Sequence, residues 1–218
     1  MVLTRRQLDQ PTLLLTVLAG VIAVAALAAG HTAIAAGECG KLFNSDDAET
    51  VLGAPPDNVK VKSSPGSITC TYVASRKVDG KLVNGSVAVS VVSRSLLKPL
   101  LQSWAKQLCA TDNEEACAKV TRAVKLADTD PEKAVVAIKR AFDLVGGVVN
   151  LTGVFGGNPA MLWNSDPPFS GSTVVIYLED KPRIIITQCN DYTNTGDNLH
   201  DAFCARKSAR IVFSTVGT

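Results

Sequence analysis

The chain has 218 residues, 46% hydrophobic and 5% aromatic, with a formal net charge of +2. That length suits one domain or two small intertwined halves around a real core. A balance so near neutral gives no electrostatic reason to expect nucleic acid or an acidic membrane as partner.

The first element in chain order is an export segment. Arg5 and Arg6 form a basic head, and no Asp, Glu, Lys or Arg occurs from Gln10 to Gly37. Thr12 to Gly30 is an apolar run, and Ala33-Ile34-Ala35 is a small-x-small site with Ala36 as the new N-terminus. Head, run and site in that order make a secretory signal. The run is 19 residues, long enough to serve instead as a membrane anchor that leaves the rest of the chain outside. Cleavage is placed ahead of anchoring because a processing site follows. Residues 1–35 are therefore a signal peptide or anchor, and 36–218 a single extracytoplasmic domain, secreted, periplasmic or anchored facing outward. The two arginines also fit a twin-arginine signal, but Asp9 and Pro11 fit that pattern poorly.

Downstream, Asp46, Asp47 and Glu49 open a short helix with Ser45 as its N-cap, stopped by Gly53. Val59 to Gly66 reads as a turn-rich connector, Ile68 to Ala74 and Ser86 to Ser93 as strands, with turns at Asp79-Gly80 and Asn84-Gly85. Ser95 to Leu108 is an amphipathic helix with Leu97, Leu100, Leu101, Trp104 and Leu108 on one face. Glu114 to Ala127 is a second helix, and Pro131 starts a third that Gly146-Gly147 ends. Val148 to Phe155 reads as a strand and Ala160 to Asn164 as a short one. Thr173 to Glu179 and Arg183 to Cys189 form a hairpin, a polar loop spans Asn190 to Asp197, and Asn198 to Phe213 is the closing helix.

Six cysteines lie beyond the cleavage site, and an even count in an exported chain reads as disulfides. Fifteen pairings exist. Local spacing suggests Cys109–Cys117 across a helical corner, Cys189–Cys204 pinning a helix to its sheet, and Cys39–Cys70 tying the entry to the first strand.

Turn chemistry echoes at an offset near 105 residues: Gly53-Ala54-Pro55 with Gly157-Asn158-Pro159, and Tyr72 with Tyr177. This raises two pseudo-repeated α-β-β-α halves, 39–110 and 114–213, against chance likeness of turns. Either way, hairpin connections imply an α+β fold with a mainly antiparallel sheet packed by helices.

Catalytic signatures are sparse. His200 is the lone histidine after the export segment, no Gly-x-Ser-x-Gly elbow occurs, and oxidised cysteines are not nucleophiles. Asp46, Asp47, Glu114, Glu115 and Glu132 sit at helix starts, where capping explains them. No cofactor or metal is expected. The loop from Asp191 to Asn198 carries oxygen ligands without EF-hand spacing. Trp163 reads as core ahead of cleft. With Asp191, Tyr192 and Asn194 it forms the set nominated for binding.

Cys39-Gly40-Lys41-Leu42-Phe43, Asp47-Ala48-Glu49-Thr50-Val51-Leu52-Gly53, Thr69-Cys70-Thr71-Tyr72 and Gly157-Asn158-Pro159-Ala160-Met161-Leu162-Trp163 resemble a family of small exported bacterial proteins, often lipoproteins, of actinobacterial type and unknown function. The layout is also similar to the extracellular sensor domain of a mycobacterial Ser/Thr kinase. The resemblance implies an α+β fold with a cleft and disulfides, an unidentified ligand or partner, and no catalytic residues. Glu38, directly before Cys39, departs from the lipoprotein pattern.

The expectation is a non-enzymatic binding or sensor-like module that recognises a small ligand or envelope protein. The alternatives are an accessory subunit of a membrane-associated assembly, held through residues 12–30, and a carboxylate-dependent hydrolase.

Overall fold

The computed structural model describes residues 32–78, 80–110, 112–145, 148–164, 171–190 and 198–217, with side chains at all of these except 32–36, 78, 107, 163, 164 and 198–200. The export run at 12–30 lies outside the described residues. No described helix is long and apolar enough to cross a membrane.

Helix α1 (Thr32–Leu42) begins before the expected processing site. Helix α2 (Ser45–Leu52) follows, and its cap is Asn44 rather than the expected Ser45. The Asn44 side chain accepts from the Asp47 amide, and Asp47 accepts from the Asn44 amide, both at 2.9 Å. This reciprocal box needs an acceptor three residues after the cap. Asn44 has Asp47 there, whereas Ser45 would have Ala48. Gly53, at φ 71°, ends the helix in the left-handed conformation.

The expected connector after α2 is instead strand β1 (Asn58–Ser64). Lys60 and Lys62 obscure it as a strand, yet Val59 and Val61 alternate with them. Pairing with β2 (Ser67–Val78) supplies the backbone partners that local propensity does not. The turn between them is Pro65-Gly66, with Gly66 at φ 81°. Strand β3 (Lys81–Ser93) is longer than expected and absorbs Asn84-Gly85, which pair with Ser75 and Ala74.

A 3-10 turn, Arg94–Leu96, leads to α3 (Leu97–Leu108), α4 (Glu114–Leu126) and α5 (Pro131–Val145). Asn113 caps α4 and Asp130 caps α5. β4 (Val148–Asn150) is only the start of the expected strand; Thr152–Val154 is a 3-10 turn. Asn150 accepts from the Thr152 amide, and the positive φ of Gly156 and Gly157 carries the chain away from the ladder. Then come β5 (Ala160–Asn164), β6 (Ser172–Tyr177), β7 (Arg183–Asn190) and α6 (Asn198–Val216).

The fold is α+β. Seven strands form one antiparallel sheet in the order β1-β2-β3-β7-β6-β5-β4. Two meanders thus meet at the β3–β7 pair. On one face, Phe43, Leu52, Tyr72, Val87, Val89, Val174, Ile176, Ile185 and Val212 belong to a core beneath α1, α2 and α6. On the other, Leu101, Trp104, Val120 and Ile138 of α3, α4 and α5 pack on Met161, Val175, Tyr177, Ile184 and Ile186. Strand β6 and residues 184–187 of β7 are buried on both faces, which explains their near-continuous apolar runs. The helices that close the two meanders, α3 and α6, lie on opposite faces. A two-fold normal to the sheet would put both on one face, so the halves share strand order and not helix placement.

All six cysteines pair, as the local spacing suggests: Cys39–Cys70, Cys109–Cys117 and Cys189–Cys204. Three disulfides fit an oxidising, extracellular compartment. Cys39–Cys70 joins α1 to β2, and Cys189–Cys204 joins β7 to α6. Both are buried in the first core.

Candidate functional site

Side chains two apart on a strand share a face, and directly paired residues share a face across strands. One row of paired positions crosses the whole sheet: Lys60, Thr71, Ala88, Gln188, Thr173, Trp163, Val148. A neighbouring row runs Lys62, Thr69, Ser90, Ile186, Val175, Met161. In that second row the chemistry changes between β3 and β7, from lysine and hydroxyls to aliphatics. Helices α3–α5 cover the aliphatic side. Among the described residues, their core takes no residue from β1 or β2.

The remaining half-face is mostly polar. It carries Thr69, Thr71, Ser75, Asn84, Ser86, Ser90, Gln188 and Asn190, interrupted by Val73, Ala88 and the exposed Leu82, and Ser90 itself is buried. Cross-strand hydrogen bonds order it. Thr69 and Ser90 hydroxyls lie 2.8 Å apart, the Ser75 hydroxyl donates to the Asn84 carbonyl oxygen at 2.8 Å, and the Asn190 amide donates to the Ser86 hydroxyl at 3.4 Å. Thr71, Ser86 and Gln188 are half-buried. Short side chains that are neither solvated on long stems nor packed under a helix leave donors and acceptors at the sheet surface. Such a surface can bind by hydrogen bonding. Its described strand positions hold no paired carboxylates for acid–base work.

Asn190 is placed by its neighbours. Gly171 has no side chain, and a Cβ there would collide with the Asn190 side-chain oxygen. Glycine at 171 therefore admits Asn190 to the Ser86 contact.

The nominated binding residues distribute as follows. Trp163 occupies its row position on β5 opposite Thr173. Asp191, Tyr192 and Asn194 lie outside the described residues; β7, which leads to them, ends at Asn190 on the border of the polar half-face. Sequence reasoning missed Thr71, Ser86 and Gln188. The available signal was the Ser/Thr alternation of β2 and β3, which reads equally as the solvated side of an ordinary strand.

A cleft is the other expectation. Beneath α3 and α5, Leu100, Leu101, Trp104, Ile138, Met161 and Tyr177 surround an apolar void of about 10 Å³. That is too small and too apolar for a ligand. Tyr177 lines it, with burial pushing its phenol pKa up while the Arg94 guanidinium, 5.1 Å from the ring centroid, opposes the shift. Across the sheet, the Tyr72 hydroxyl donates to the Phe43 carbonyl, and burial followed by Asp47 raises its pKa. The Tyr72 hydroxyl is thus satisfied, whereas the buried Tyr177 hydroxyl has no hydrogen-bond partner among the described residues.

Comparison with family models, with curated proteins and with solved structures returned no match. No family is assigned.

Proposed function

We propose that this chain is an exported, disulfide-stabilised binding module, and that it recognises a ligand or protein of the cell envelope through the polar half-face of its sheet. The observation that carries this reading is the hydrogen-bonded field of short side chains on β2, β3 and β7 that lies outside the helical cover. The export segment and the disulfides support an oxidising destination. The sparse catalytic inventory supports recognition over chemistry.

Native mass spectrometry of the protein purified from its own envelope tests this. A bound species is expected, and Thr71→Arg with Gln188→Arg should abolish it while leaving the melting temperature nearly unchanged. Retention of the species in a folded double variant would overturn the assignment of the site.

A further inference from the structure

The outer edge of β1 has no strand partner among the described residues, because β1 ends the sheet. Such an edge presents backbone N–H and C=O groups ready to pair with another strand. The side chains of β1 divide by face. Lys60 and Lys62 are exposed on the polar face, opposite Thr71 and Thr69. Val59, 43% exposed, and Val61 lie on the α1 face, opposite Tyr72 and Cys70. The two lysines are two residues apart, about 6.8 Å along the strand. The same face carries a third lysine, Lys77, and no described strand position on it holds Asp or Glu.

A second copy fits this edge poorly. Two β1 strands paired antiparallel about Val61 would set Lys60 against Lys62 of the other copy, and like charges directly opposed destabilise a pair. An acidic strand has the opposite sign. Its carboxylates would meet the lysines on one face, and an apolar residue between them would meet Val61 and the exposed Val59 on the other.

We propose that β1 accepts an extended acidic segment of a partner protein as an eighth strand, with acidic residues opposite Lys60 and Lys62 and an apolar residue opposite Val61. This deepens the binding reading above, on which it rests, by giving the partner's chemistry. Backbone pairing supplies affinity, and the alternation of charge and apolar side chains supplies register.

The probe is a capped seven-residue peptide alternating Glu and Val, titrated into the oxidised full chain and followed by fluorescence anisotropy. Binding is expected, with slowed amide exchange confined to β1. Lys60→Glu with Lys62→Glu should weaken it roughly tenfold or more. The same variant should gain affinity for a Lys/Val peptide, a gain that an unfolded variant would not show. A backbone N-methylated Glu/Val peptide should not bind. Failure of the first peptide, equal binding of the N-methylated one, indifference to the charge swap, or dimerisation of the protein through β1 would each overturn the proposal. If it fails while Thr71→Arg with Gln188→Arg still strips the envelope ligand, the acidic strand is wrong and the polar-face reading stands.

Discussion

The three disulfides differ in accessibility, and this sets the order in which they should open. Cys39 and Cys70 are 2% and 0% exposed, and Cys189 and Cys204 are 0% and 6% exposed. Cys109 is exposed and Cys117 half-buried at the corner between α3 and α4. Thiol–disulfide exchange needs in-line access to sulfur, so a mild reductant should open Cys109–Cys117 alone. The loop it closes has a sequence separation of 8, against 31 and 15 for the others. Loop-closure entropy then gives about 2.5 kcal/mol for this bridge, against about 3.7 and 3.0 kcal/mol for the other two. Losing it should lower the melting temperature by roughly 5–10 °C without unfolding the domain at 25 °C. Alkylation and peptide mass mapping along a reductant titration give the order directly, and calorimetry gives the shift. Opening of either buried bridge first, or global unfolding together with Cys109–Cys117, would refute the reasoning.

Further outcomes follow from the two cores. Leu101 is 0% exposed and borders the void beneath α3, so Leu101→Ala should cost about 3 kcal/mol in urea unfolding. Asn44→Ala removes the box at the start of α2 and should cost about 1 kcal/mol by the same measurement. Tyr72 and Tyr177 both have raised pKa values in the folded state. Below about pH 10 both are neutral whether the chain is folded or not. Above it the unfolded chain ionises first, so stability falls as pH rises toward the folded values. Tyr72→Phe with Tyr177→Phe should flatten that alkaline slope, seen in unfolding midpoints between pH 9 and 11.

Much of this architecture is legible in local patterns. The Leu97–Leu108 stripe marks its helix because one face at helical spacing must be buried. The Cys109–Cys117 corner and the Cys189–Cys204 tether follow from short separations between adjacent elements. β1 is not legible, because Lys60 and Lys62 lower its strand propensity and its partner supplies the pairing. The meeting of β3 with β7 is not legible either. It joins Val91 to Ile185 across three helices and three strands, and no periodicity encodes a contact at that range. The polar half-face depends on that meeting. Alternation shows that Thr71, Ala88 and Gln188 each share a side with their own strand's neighbours. Only the position of α3–α5 decides which stretch of the face stays uncovered.

The most direct measurement is site-specific photo-cross-linking in intact envelopes, with the reactive residue placed at Thr71 or Gln188 on the polar face or at Val136, 43% exposed on α5. Recognition through the polar half-face predicts a discrete adduct from positions 71 and 188 and none from 136. An adduct from 136 alone would contradict it.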